Sequence, residues 1–439
     1  MRPLKIDEHS RRIKAAWEKL PLDQRARIMP VLETAHRAAI ASLEGRIPPT
    51  DLTTVGNHFG LVHSVITDDR DGVVSGALSR FQGKPEKAVE VCVDAEGVIW
   101  GTGQYENLDP GWLEAGAVWL EHLILPKYAF NETIPEKNTP MPQRARIALA
   151  GDWGTGFCEG RTVPSARVNA AIENLKPDFT IHLGDVYYAG TEEYEQQNFA
   201  TIWPKGAQGA LALNSNHEML PGGKPYFEAL KAADSPFSVQ DRRSFFALEN
   251  DNWVVAGLDS AYYADEESLY SPGSLYEEEH QQVQMEFLKK QVDKGKKLIV
   301  LTHHNPLDLQ DHGQEPYTFE VNDLGHQVLD GLPKNSVSYW YWGHVHAGAV
   351  YRPEALGGVL GRCCGHGGIP WAPCGWLGKP HGCSAFENKD YVEWWANTPD
   401  KDMPERLLNG FAVIDLDGPN ITERFFDERG CLGFPAAPR

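Results

Sequence analysis

From Arg146 onward the chain alternates short apolar runs with stretches of helical periodicity, and almost every apolar run stops on polar residues. RIALAGDWG, DFTIHLGDVYY, GALALNSNHE, WVVAGLDS, KKLIVLTHH and SVSYWYWGHVH have the length and content of buried strands. PSARVNAAIENLK, EEYEQQNFATIW and EEEHQQVQMEFLKKQVDKG, which lie between them, read as helices. Strand–helix alternation of this kind predicts an α/β domain with largely parallel pairing. Near the C-terminus, FAVIDLDG and ITERFFDE predict a closing antiparallel hairpin.

Residues 1–145 read differently. HSRRIKAAWEKL and QRARIMPVLETAHRAAIASLEG carry helical periodicity punctuated by Pro21 and Pro30, and EVCVDAEGVIWGTG alternates around an Asp-Ala-Glu-Gly turn as a hairpin does. GWLEAGAVWLEHLIL, residues 111–125, reads as an amphipathic helix. The polar run FNETIPEKNTPMPQRAR, with Pro135, Pro140 and Pro142, is the best linker candidate. The expected organisation is therefore an N-terminal α+β accessory domain over 1–145, without a chemical motif, followed by a second domain over 146–439. Its apolar helices predict that the first region packs on the second or mediates self-association.

Composition narrows the partners. Lys and Arg total 41 against 61 Asp and Glu, a net charge of −20, which repels a phosphate backbone and argues against nucleic-acid polymers. No stretch approaches the roughly 18 apolar residues of a membrane span, and the polar N-terminus has no apolar signal-peptide core. A cytoplasmic protein with no membrane partner is the expectation. The seven cysteines, 92, 158, 363, 364, 374, 383 and 431, then read as thiols. Within RCCGHGGIPWAPCGWLGKPHGC, Cys363, Cys364, Cys374 and Cys383 with His366 and His381 could also form a structural zinc site. Their spacing is unlike paired Cys-x-x-Cys knuckles, which favours an irregular loop with free thiols near the strand ends.

The residues on which the strands stop form a chemically coherent set. Asp152 follows Ile-Ala-Leu-Ala-Gly, and Asp185 follows Ile-His-Leu-Gly. Asn216 and His217 follow Leu-Ala-Leu-Asn-Ser, His303 and His304 follow Leu-Ile-Val-Leu-Thr, and His344 and His346 follow Tyr-Trp-Tyr-Trp-Gly. Ligand sites of open α/β sheets lie outside the carboxyl ends of the strands, so strands sharing a sheet would bring these side chains to one rim. Carboxylates, a carboxamide and imidazoles are donors for divalent and trivalent metals. One such stop is usually a turn or a helix cap. Five in order demand a common explanation.

The ordered set Gly-Asp-Trp-Gly (151–154), Gly-Asp-Val-Tyr-Tyr (184–188), Asn-His-Glu (216–218), Val-Leu-Thr-His (300–303) and Gly-His-Val-His (343–346) resembles the calcineurin-like metallophosphoesterases. The resemblance covers about residues 146–350. It implies a four-layer α/β/β/α sandwich with a two-metal site at one edge. Carried over by position, Asp185 would bridge the metals, Asp152 and His346 would belong to the first, and Asn216, His303 and His344 would complete the second. His217 would face the substrate, stabilising phosphoryl charge or protonating the leaving oxygen. Glu218 would stand behind the ligands, orienting an imidazole.

This chain departs from the family pattern at two positions. Ser215 stands where Gly usually precedes Asn-His. Gly154 stands where many members have a ligating His, and Tyr188 is the expected oxygen donor in its place, as in the purple acid phosphatase branch that the Gly-Asp-x-Gly and Gly-Asp-x-x-Tyr pair resembles. Such a donor set implies Fe(III) at the first site, with a violet to pink colour bleached by Tyr188→Phe. The second site suits divalent Fe, Zn or Mn. The function implied is hydrolysis of small-molecule or nucleotide phosphate mono- or diesters by a metal-bound hydroxide at a binuclear centre. The competing class is a non-catalytic scaffold with a structural metal site. His304 and His312 could each line the cleft or serve structure alone.

Overall fold

The computed structural model describes residues 6–43, 57–69, 92–93, 99–100, 105, 109, 111–157, 163–232, 235–265, 267, 272–277, 282–310, 318–369, 386–401 and 406–435. Helices α1 (Ile6–Lys19), α2 (Leu22–Leu43) and α3 (Asn57–Ile66) come first. A two-stranded hairpin follows, β1 (Cys92–Val93) against β2 (Ile99–Trp100), and then α4 (Trp112–His122). α2 runs through Pro30 instead of breaking there, because Pro30 lies on the exposed side, where water can satisfy the carbonyl it leaves unpaired.

Two large sheets carry the rest. The first strands in chain order are β3 (Thr139–Pro140), β4 (Arg144–Ala150), β5 (Phe179–His182), β6 (Gly209–Ala212), β7 (Phe246–Glu249), β8 (Trp253–Gly257) and β9 (Lys297–Thr302). The separate hairpin β10 (Leu307–Gln310) and β11 (Thr318–Val321) comes next. β12 (Val337–Trp342), β13 (Gly348–Tyr351), β14 (Leu360–Cys364), β15 (Val392–Trp395), β16 (Gly410–Asp417), β17 (Asn420–Asp427) and β18 (Leu432–Pro435) complete the strands. One sheet has six strands in the order β18-β17-β16-β4-β5-β6, and the other has eight in the order β15-β13-β14-β12-β9-β8-β7-β3. β4, β5 and β6 are parallel, as are β8, β9, β12 and β14. The expected C-terminal hairpin is present as β16 and β17, turning at Gly418 with a φ of 55°. This is the mixed α/β class read from the sequence.

Side-chain alternation along the strands shows how the sheets pack. In β4, Ile147 and Leu149 join one apolar cluster, while Ala148 and Ala150 join another. In β12, Tyr339 and Tyr341 enter the first cluster, while Trp340 and Trp342 enter a third. The shared cluster, which also holds Phe179, Ile299, Leu301 and Ile414, draws on both sheets and so lies between them. The outer face of the six-stranded sheet meets α5 (Pro164–Asn174) and α6 (Lys224–Lys231). That of the eight-stranded sheet meets α7 (Val283–Val292) and α8 (Asp323–Asp330). Residues buried on both faces explain the nearly unbroken apolar runs. Inside the shared layer, Arg362 of β14 forks onto Glu423 of β17 at 2.6 and 2.9 Å, and Tyr341 donates to the same carboxylate at 2.6 Å. Those bonds satisfy a buried ion pair that would be costly alone.

α4 differs from its sequence reading. Nine of its eleven residues are buried, so it is enclosed rather than amphipathic. Trp112, Leu113 and Trp119 pack in one cluster with α1, α3 and the loop residues Tyr187, Tyr188 and Ala189. The N-terminal region thus rests on the loop that follows β5. Cys363 and Cys364 lie within β14, on opposite faces, so adjacent thiols cannot converge on one ion. Cys363 donates to Val345 O and Ala347 O. Cys158, Cys374, Cys383, His381 and His312 lie outside the described residues. Among the described residues, no helix is long and apolar enough to cross a membrane.

Candidate metal centre

The carboxyl ends of β4, β5, β6, β9 and β12 meet at one edge of the paired sheets. Backbone bonds beyond the strands lock them together: Asp152 N to Gly184 O at 2.9 Å, Gly343 N to His303 O at 2.9 Å and Gly151 N to Cys364 O at 2.9 Å. At this edge Asp152, Asp185 and His344 take φ values of 56°, 79° and 62°. Left-handed backbone at three non-glycine residues is strained, and such strain gathers where a side chain must be aimed against local preference.

Two donor groups result. The ligand atoms of Asp152, Asp185 and His346 lie within 4.8 Å of one another, as do those of His303, His304 and His344. Asp185 stands between them. Its Oδ1 is 3.3 Å from His303 Nε2, and its Oδ2 accepts from the Tyr187 hydroxyl at 2.7 Å. Asp152 Oδ1 is 3.3 Å from His346 Nε2, and its Oδ2 accepts from His344 N at 2.9 Å. Asn216 Oδ1 is 2.9 Å from His303 Nε2. His303 Nδ1 donates to Leu183 O at 2.8 Å, which leaves Nε2 as the atom facing the group.

The electrostatics suit cations. Burial and the neighbouring Asp185 charge push Asp152 well above the usual carboxylate range. Burial lowers His303 and His346, and burial with His303 brings His344 down to about 3. Crowded carboxylates beside imidazoles that hold lone pairs rather than protons lack positive charge. Carboxylate, carboxamide and imidazole donors fit metal ions, and the buried His304 Nε2 has no hydrogen-bond partner.

Residues 145–348 match the calcineurin-like phosphoesterase family. The matched span includes Asp152, Asp185, Asn216, His217, His303, His344 and His346. Strands β14 to β18 lie beyond it yet complete the same two sheets. No curated protein matches the chain. The phosphoesterase family brings metal-dependent phosphoester hydrolysis, generally at two metal ions, as the reading of this edge.

Tyr188 departs from its expected place. Its hydroxyl donates to Asp109 Oδ2 at 2.5 Å, away from both donor groups, and its ring packs against Tyr105 and Trp112. Gly111 lies so close that a Cβ there would be 2.6 Å from the Tyr188 hydroxyl. Tyr187 takes the position at the carboxylates, 2.7 Å from Asp185, 3.2 Å from Asp152 and 3.2 Å from His346. The two tyrosines sit in a loop, where no period says which one faces inward; the acceptor that draws Tyr188 away is 79 residues distant.

His217 stands at the edge of the group. Its Nδ1 lies 2.7 Å from Tyr188 O, and since a carbonyl only accepts, Nδ1 carries the proton there. Nε2 then faces Asp185 Oδ2 at 4.0 Å. Trp112 and Tyr187 pack on the imidazole. Among the described residues, Glu218 meets no imidazole. It accepts from Asp185 N and Val186 N at 3.2 and 3.3 Å, fixing the backbone of the bridging aspartate instead. Burial and the Asp185 charge raise it to about 8. Ser215 has φ −137° and ψ 174°, extended backbone open to any residue. Its hydroxyl caps the turn at 216–219 and donates to Asp185 Oδ1 at 2.6 Å, contacts a glycine could not make.

Proposed function

We propose that this chain hydrolyses phosphate mono- or diesters of small molecules or nucleotides at a pair of cations. The observation that carries the reading is Asp185, whose two oxygens face two separate donor groups. Asp152, His346 and the Tyr187 oxygen would hold one cation beside Asp185, and Asn216, His303 and His344 the other. Oxygen-rich donors suit trivalent iron at the first position; the nitrogen-bearing set suits divalent iron, zinc or manganese. Such a pair supplies positive charge to the phosphoryl oxygens and makes water a nucleophile near neutral pH.

The chain's own residues do the rest. Asp185 and Asp152 set the charge of the site. His217, held by Tyr188 O and the Trp112 ring, presents Nε2 to the leaving oxygen; as the imidazolium, with a second proton on Nε2, it would give that proton to the leaving oxygen and return to the Nδ1–H form. The described N-terminal helices share one apolar cluster with the Tyr187–Ala189 loop, so residues 1–145 would serve as an accessory region, and self-association through them belongs to the same proposal. The net charge of −20 favours small esters over polymers in the cytoplasm. The test is hydrolysis of p-nitrophenyl phosphate, bis-p-nitrophenyl phosphate and a panel of natural esters by metal-replete protein. Turnover on one of them is expected. Silence on all would favour a scaffold with structural metals.

A further inference from the structure

His304 follows the candidate ligand His303 and has no role in the reading above. Its side chain is buried, 1% exposed, and its Nε2 has no hydrogen-bond partner. That atom is not stranded in an apolar core. The residue belongs to the group in which one ligand atom each of His303, His304 and His344 lies within 4.8 Å of the others, and the three rings meet at centroid distances of 4.6 to 5.1 Å.

The other end of the ring is held firmly. Ser260 Oγ lies 2.9 Å from His304 Nδ1 and accepts from His304 N at 3.1 Å. Gly273 closes over the same ring: a Cβ there would be 2.5 Å from His304 Cβ, so a larger residue would displace it. Ser274 N, bonded to Ser260 O at 2.9 Å, fixes that segment. In the tautomer whose Nδ1–H donates to Ser260 Oγ, Nε2 holds a lone pair on a ring that packs against the His303 and His344 imidazoles. A buried acceptor without a partner is unfavourable, and a bound cation would offset that cost. Ligating histidines are oriented by a hydrogen bond to their other ring nitrogen, and the Ser260 hydroxyl is placed to play that part here.

We infer that His304 Nε2 is a further ligand of the second cation, making that site a three-imidazole set with Asp185 and Asn216. The inference rests on the two-cation reading and sharpens it. Three nitrogens shift the site toward borderline divalent ions such as zinc, cobalt or ferrous iron, and away from magnesium, which prefers oxygen donors. The first site, where Asp152 and His346 share Asp185, keeps its oxygen character.

Cobalt(II) titration of the metal-stripped full chain tests this, with visible absorption and equilibrium dialysis as readouts. Wild-type protein should bind two equivalents. His304→Gln should bind one of them about ten- to a hundredfold more weakly and lose intensity in its d–d bands, with the other equivalent unchanged. His303→Ala, the control, should weaken the same equivalent. The wild-type chain supplies a check that needs no variant: proton NMR of its dicobalt form should show exchangeable, paramagnetically shifted N–H signals from three imidazoles of the second site. If His304→Gln keeps both affinities and its spectrum while His303→Ala loses one equivalent, His304 is not a ligand and the two-cation reading stands. If wild-type protein binds no cobalt, that reading falls and takes this inference with it.

Discussion

The Tyr188 hydroxyl donates to Asp109 Oδ2 at 2.5 Å, tying the loop that carries Asp185 to the N-terminal region. Asp109 also accepts from Tyr105 N at 2.7 Å and Gly111 N at 2.9 Å, so its carboxyl fixes its own turn and joins it to the Tyr188 loop. Tyr188→Phe removes one donor from a buried acid and should lower stability by about 1–3 kcal/mol. Urea unfolding reads the loss. Metal content should be unchanged; a folded variant that no longer holds metal would return Tyr188 to the ligand set.

The same carboxyl gives a pH dependence. Burial raises Asp109 to about 6, against the lowering effect of its hydrogen bonds from Tyr188, Gly111 and Tyr105. The folded protein therefore binds this proton more tightly than the unfolded chain. Its stabilising contribution is fully present below the unfolded value and is lost as pH rises toward 6. Relative to Asp109→Asn, wild-type stability should fall between pH 4 and 6 by on the order of 1.4 kcal/mol per unit. A flat difference across that range would show that Asp109 does not titrate this way.

Colour distinguishes the two tyrosines. If iron occupies the Asp152 group, the phenol within reach is Tyr187, and oxidised iron-loaded protein should show a visible phenolate band that Tyr187→Phe abolishes. Tyr188→Phe should keep it. The reverse pattern would contradict the placement of both rings.

His217→Ala should lower turnover by about 10²–10⁴, the usual contribution of a general acid, while both metal equivalents are retained. Trp112→Ala should produce a milder loss, since the imidazole keeps its bond to Tyr188 O but loses a wall. Wild-type turnover in His217→Ala would remove the role assigned to it.

The strand-end residues were legible because burial and chemistry conflict there: Asp, Asn and His directly after unbroken apolar runs have no structural reason to recur five times. The sheets were legible for the same reason, since runs such as those of β4 and β9 suit strands covered on both faces. What escaped the sequence depends on long-range contact. Asp109 and Trp112 reach the loop of Tyr187 and Tyr188 only after folding. α4 is enclosed because α1 and α3 cover the face its pattern would leave to water. His304 was ambiguous because its ring is held by contacts with Ser260 and Gly273, neither near it in sequence.

The most direct test of the central claim is hydrolysis of bis-p-nitrophenyl phosphate and p-nitrophenyl phosphate by metal-stripped protein as a divalent cation is restored, alone and after ferric loading, beside Asp185→Asn. Activity should rise with bound metal and level off at two ions per chain, and Asp185→Asn should bind fewer ions and stay near background. Saturation at one ion per chain, or an Asp185→Asn variant that turns over like wild type, would contradict a site built around a shared carboxylate.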